Sequence, residues 1–258
     1  MFRLRKWYLD CVTARGDAFI GYSARLRWNG VRLGYAAALV APEPGDVVET
    51  HTFLPGRGPS RSANGVRWRC RRLGLAGVWR ARSAPIERCL LQTGAGGIDW
   101  ACVAPHAAAR IHTPKGTLGG LGYAECLTLT LEPWSLPFRT LHWGRFLAGG
   151  ASLVWIVWEG DEGARHVYRD SRPCETAEFA PGRIVLADGG TLELARSRVL
   201  RSAPVVSAAL RSLPGLARRL PGSFLLARED KWLSRGRLEM PGMPPVSGWA
   251  IHEVVRFP

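Results

Sequence analysis

Apolar and polar side chains alternate with period two through most of this chain, a pattern that suits antiparallel β-structure and little else. In FIGYSARLRW (19–28), Ile20, Tyr22, Ala24, Leu26 and Trp28 fall on one side. Asn29-Gly30 follows, a strong signal for a type I′ hairpin, and VRLGYAAALVA returns. VRWRC (66–70) sets Val66, Trp68 and Cys70 against Arg67 and Arg69. SLVWIVWEG (152–160) is apolar on both faces and reads as a central strand. RIVLADGGTLELARSRV (183–199) reads as a second hairpin around Asp188-Gly189-Gly190, and GWAIHEVVRF (248–257) as a closing strand. GTLGGLG (116–122) has the wrong spacing for a dinucleotide loop and reads as a turn entering a strand.

One stretch departs from the pattern. In PVVSAALRSLPGLARRL (204–220), Val206, Ala209, Leu210, Leu213, Leu216, Ala217 and Leu220 recur at helical spacing, with Arg211, Arg218 and Arg219 on the other side. Pro214 splits or kinks that helix. A basic amphipathic helix either lies on an anionic membrane surface or packs across a barrel mouth. The expectation is therefore an all-β chain of barrel-like sheets with one helix near 204–220. PWSLP (133–137) marks a boundary between β units at 1–133 and 134–258.

The composition narrows the classes further. The chain has 258 residues, 47% of them hydrophobic, and 11 are Trp, so it can bury a sizeable core. No run of 18 apolar residues occurs, and the basic start MFRLRKWYLD lacks the apolar core of a signal peptide. The expected location is the cytoplasm, with the basic helix offering peripheral contact at the inner membrane surface. The six cysteines form no C-x-x-C pair and the six histidines are scattered, so no metal is expected and free thiols are. The net charge of +14 is concentrated. Residues 57–88 carry nine Arg against Glu87, and residues 196–237 carry nine Arg and Lys231 against Glu229 and Asp230. Such charge suits an anionic partner, and Trp68 and Trp79 lie within the first segment. No nucleic-acid motif accompanies it, so no specific nucleic-acid partner is expected.

GLGYAECLTLTL (120–131) raises a sharper question. Tyr123, Glu125, Leu127 and Leu129 share one face of the expected strand, which sets a carboxylate in a row of leucines. Such an acid is desolvated, which favours its protonated form and suits it to give a proton to an alkene or a hydrogen bond to a carbonyl. Two other readings stay open: an ion pair with Arg145 or another Arg, and a strand end in water. Glu253 repeats the pattern beside Trp249, Ile251 and Val255, although an edge position is the commoner reading near a chain end.

These residues resemble a known group. Gly120, Gly122, Tyr123, Glu125, Pro133, Trp143 and Arg145, followed by SLVWIVWEG, are similar to the carotenoid 1,2-hydratase-like group of lipocalin-like proteins. Plant tocopherol cyclases and lipocalin-like Diels–Alder cyclases are its more distant relatives. Trp7, Tyr8 and Asp10 in KWYLD resemble the group's W-Y-x-D opening, and Glu125 stands where the hydratases carry Asp. The resemblance implies two lipocalin-like units around an apolar cavity. It also implies chemistry without a cofactor on a hydrophobic isoprenoid or polyketide-type molecule: cyclisation, hydration or isomerisation. Glu125, His142 and Asp10 are then the catalytic candidates, and Trp7, Tyr8, Tyr123, Trp143, Arg145, Trp155 and Trp158 the substrate-binding ones. His142 titrates in a range suited to proton transfer, and aromatic walls stabilise cationic intermediates. Trp155 and Trp158 point to opposite faces of a regular strand, so at most one lines a given cavity. The competing reading is a lipocalin-like carrier without catalysis.

Overall fold

The structure is a computed structural model that describes residues 1–160, 163–205 and 220–257. The chain forms two compact units, Met1–Glu132 and Pro133–Pro258. The first is one antiparallel sheet of ten strands: β1 (Phe2–Val12), β2 (Ala18–Trp28), β3 (Val31–Ala41), β4 (Val48–Thr52), β5 (Ser60–Ser62), β6 (Gly65–Cys70), β7 (Leu75–Ala81), β8 (Ile86–Thr93), β9 (Gly96–Thr113) and β10 (Gly116–Leu129). Their order is β4-β3-β2-β1-β10-β9-β7-β6-β5, with β8 paired to β9.

The second unit is a sheet of nine strands: β11 (Phe138–Leu147), β12 (Ser152–Gly160), β13 (Ala164–Arg169), β14 (Arg172–Pro173), β15 (Thr176–Ala180), β16 (Arg183–Leu186), β17 (Thr191–Pro204), β18 (Arg228–Glu239) and β19 (Val246–Arg256). Their order is β14-β13-β12-β11-β19-β18-β17-β16-β15. The two sheets thus share a plan: a first strand (β1 or β11) beside the unit's last (β10 or β19), flanked by hairpins.

Local chemistry sets these elements where the sequence indicated. Asn29 and Gly30 adopt φ of 45° and 82°, as a type I′ turn requires, and join β2 to β3. Gly189, at φ 86°, lies in the turn joining β16 to β17. β12 is paired on both sides, by β11 and β13, and its consecutive residues from Ser152 to Trp158 are all buried, which accounts for its apolar residues on both faces. The helix expected near 204–220, with Arg211, Arg218 and Arg219, lies outside the described residues for nearly all its length. The described helical segment nearby is the four-residue Gly222–Leu225. Among the described residues, no helix is long and apolar enough to cross a membrane.

Two sequence expectations are corrected. β10 already begins at Gly116, so the glycine run is strand and not a turn. The reason is close packing. A Cβ on Gly122 would come within 2.5 Å of the Asp10 carbonyl oxygen and 2.9 Å of Trp79, whose indole N–H donates to that same oxygen at 2.6 Å. The second correction concerns Glu253. β19 runs between β11 and β18, so Glu253 occupies an interior strand and not an edge.

Each sheet curls around a core on one face. The first core gathers Trp7, Leu9, Cys11, Phe19, Val66, Trp68, Trp79, Ile111, Ala124 and Cys126, among others. The second gathers Phe146, Leu153, Trp155, Val167, Ile184, Leu192 and Leu238. All six cysteines are free thiols.

Candidate active site

Register decides which candidates meet. In the first unit Tyr8 pairs with both Glu125 and Tyr22, Asp10 with Tyr123 and Ile20, and Glu125 with Cys102. Directly paired residues in a sheet share a face. Tyr8, Asp10, Tyr123 and Glu125 therefore stand together, on the face turned away from the unit's core. All four are buried: Asp10 and Tyr123 have 0% of their surface exposed, Tyr8 4% and Glu125 9%. The rings of Tyr8 and Tyr22 meet edge-on with centroids 5.5 Å apart, and those of Tyr8 and Tyr123 at 6.1 Å.

Glu125 is held within this aromatic group by directed hydrogen bonds. The Trp100 indole N–H and the Tyr123 hydroxyl each donate to its Oε2 at 2.5 Å. Burial pushes the Tyr123 hydroxyl well above its ordinary pKa, and the neighbouring Cys102 and Glu125 side chains push it the same way. Tyr123 therefore remains a donor. Burial, and then the Glu125 charge, also push the Cys102 thiol well up, so the sulfur beside the acid stays protonated and unreactive. Trp100 and Cys102 escaped sequence reasoning. Their signal was present: Ile98, Trp100 and Cys102 alternate with Asp99 and Ala101, in phase with Leu129, Leu127 and Glu125 across the ladder.

The remaining candidates are placed by their own strands. Trp7 sits in the first unit's core, on the sheet face opposite Tyr8. In the second unit, Trp143 pairs with Glu253 and Ile156, and Arg145 with Ile251 and Val154. Arg145 is fully buried and donates to the Trp249 carbonyl oxygen at 2.8 Å. His142 and Trp155 point to the other face, where Trp155 joins the core and fills the space left by Gly144. Burial holds the His142 imidazole below its ordinary pKa, against the opposing pull of Glu159, whose carboxylate lies 3.5 Å from Nε2. Trp158 stacks on Phe138 with centroids 5.2 Å apart.

Glu253 and Glu125 occupy like places in their sheets, yet their surroundings differ. Tyr8, Glu125 and Cys102 form one cross-strand row; Trp143, Glu253 and Lys231 form the corresponding one. Lys231 is 1% exposed, and its ammonium bonds Glu253 and lies 3.0 Å from Glu229, with the Trp143 ring centroid 5.8 Å away. Lys231 and Glu229 were missed as site residues, although both stand in phase with Leu233. Cation and carboxylates here neutralise one another, the work of a structural ion cluster. Glu125 Oε2 accepts from two uncharged donors, the Trp100 indole and the Tyr123 hydroxyl. Among the described residues, no group of three or more His, Cys, Asp or Glu is placed to hold a metal ion.

No protein-family model matches this chain, and no curated protein matches it in sequence. Its structure nonetheless resembles solved ones over nearly its full length. CghA, in a structure with Sch210972, superimposes with a TM-score of 0.59 at 13% identity, covering 99% of this chain and 88% of that one. Kievitone hydratase from Nectria haematococca gives 0.57 at 11% identity, covering 98% and 88%. A putative AttH from Nitrosomonas europaea gives 0.56 at 11% identity, covering 97% and 92%. Identities this low establish the shared architecture alone: the chain takes the lipocalin-like all-β fold of these proteins.

Proposed function

We propose that the chain is a cofactor-independent cyclase, hydratase or isomerase for a hydrophobic small molecule of isoprenoid or polyketide type, with Glu125 as its proton donor or acceptor. The observation that carries this reading is the buried Glu125 carboxyl, whose Oε2 is fixed by Trp100 and Tyr123 among aromatic rings. An acid fixed in dry surroundings meets an apolar substrate in one orientation and needs little reorganisation during proton transfer. Tyr8 and Asp10, on the same sheet face, are candidates to orient the substrate. The fold shared with a protein named as a hydratase supports the same class. The resemblance of KWYLD and GLGYAE to carotenoid 1,2-hydratase-like proteins supports it further, and an isoprenoid or polyene is the substrate it suggests.

Native mass spectrometry of protein from its own host, followed by incubation of the released compound with fresh protein, tests the proposal. A substrate that is cyclised or isomerised keeps its mass, and one that is hydrated gains one water. The expected result is an apolar ligand that wild-type protein converts and the Glu125→Gln variant does not. A ligand bound and never converted makes the protein a carrier. Conversion that Glu125→Gln leaves unchanged removes the acid from the mechanism.

A further inference from the structure

The first unit also carries a concavity whose chemistry differs from that around Glu125. Arg67 and Arg69 of β6, Ala76, Val78 and Arg80 of β7, and Ala108, Arg110 and His112 of β9 line a trough of about 650 Å³. Arg57 and Ser60 close one side. The register explains how it forms: Arg67, Val78 and Arg110 make one cross-strand row, and Arg69, Ala76 and His112 the next. Small residues on the middle strand make a floor, with guanidinium groups on both sides. Strand spacing sets the Cα atoms of Arg67 and Arg110 about 10 Å apart, and two steps along β6 separate Arg67 from Arg69 by about 7 Å.

The lining contains five arginines and a histidine and no acid. Several arginines elsewhere have carboxylate partners: Arg61 with Glu87, Arg169 with Asp188, Arg183 with Glu178, Arg237 with Glu239 and Arg256 with Asp230. Among the described residues, Arg57, Arg67, Arg69, Arg80 and Arg110 have none. Like charges crowded in a recess repel one another and concentrate a positive field there, which an anion relieves. The guanidinium fork matches the oxygens of phosphate-type groups.

We propose that this trough is a binding site for a small polyanion carrying at least two phosphate-type groups. Its volume is that of a small-molecule site. Single-stranded nucleic acid fits it less well, because that ligand needs exposed rings for stacking. Trp68 and Trp79, the tryptophans of the Arg-rich segment, are 4% and 1% exposed and belong to the core behind the trough. The site is independent of any chemistry at Glu125.

Titration calorimetry with sodium tripolyphosphate tests the proposal, at low and at moderate salt. One saturable site per chain is expected, weaker at higher salt. Changing both Arg67 and Arg110 to Gln lowers affinity about tenfold or more, since each loses a charge-assisted hydrogen bond. The control is Arg183→Gln with Arg237→Gln, which removes the same charge from the second unit and shifts affinity less than about twofold. Both variants change exposed side chains, and unchanged melting temperatures confirm that each is folded. Equal losses in the two variants mean a diffuse field and overturn the site, as does binding without saturation. A further arm offers phosphatidylglycerol vesicles and a single-stranded oligonucleotide. Tighter binding of either, lost with Arg67 and Arg110, replaces the small polyanion with a membrane or a nucleic acid.

Discussion

The Tyr123 hydroxyl donates to Glu125 Oε2 at 2.5 Å, across two residues of a single strand. Neighbours two apart on a strand point the same way, so the pair is local in sequence. The Trp100 indole completes the grip from β9, on the neighbouring strand. A carboxyl fixed from two directions has one orientation to offer, and its consequences are measurable.

Glu125→Gln keeps the size and hydrogen bonding of the side chain and removes its transferable proton. Turnover of the native ligand is expected to fall about a hundredfold or more, as for loss of a general acid or base, with the melting temperature nearly retained. An ion-pair role for Glu125 gives the opposite pattern, a loss of about 3–5 kcal/mol in stability. Rate, ligand affinity and melting temperature measured on one variant separate the two.

Trp100→Phe deletes the indole donor to Glu125 Oε2 and leaves a buried carboxyl oxygen with fewer bonds. Destabilisation of about 1–3 kcal/mol is expected by urea unfolding, together with slower turnover as the acid loses its fixed orientation. A variant with wild-type stability and rate would show that the Trp100 bond does not hold the acid.

Lys231→Met removes the cation between Glu253 and Glu229. Because it strands carboxylates in a buried site, a cost of about 3–5 kcal/mol is expected. Adding Glu253→Gln and Glu229→Gln recovers most of that loss if charge, and not packing, is the cause; unfolding of wild type, the single variant and the triple variant forms the test.

His142 gives a pH signature. Its imidazole titrates below its ordinary value when folded, so the unfolded chain binds the extra proton first. Its contribution to stability is complete above pH 6.5, the unfolded value, and is lost as pH falls through the lower folded value. His142→Gln is expected to flatten the dependence of melting temperature on pH in that window and to leave it unchanged above.

Thiol labelling checks the burial around Glu125. Cys89 is exposed and reacts with iodoacetamide first, whereas Cys102, buried and held protonated, reacts only after unfolding. Early labelling of Cys102, read by peptide mass spectrometry, contradicts the dry site.

The sequence by itself determined the strands, their turns and the phase of each side chain, because period-two alternation and Asn-Gly chemistry act over a few neighbouring residues. It set Glu125 with Tyr123 on the leucine face, and Asp10 with Tyr8. Tertiary structure decided what those faces meet. Alternation says that Trp7 and Tyr8 point apart, but only the curl of the sheet sends Trp7 into the core and Tyr8 to Glu125. The glycine run misled because its cause lies elsewhere in the chain: Gly122 makes room for Trp79, bonded to the Asp10 carbonyl. Glu125 and Glu253 look alike in sequence, each an acid in an apolar row. Their difference comes from the neighbouring strand, which brings Trp100 to one and Lys231 to the other. Strand order is a long-range property, decided by which apolar faces bury one another, and no local pattern encodes it.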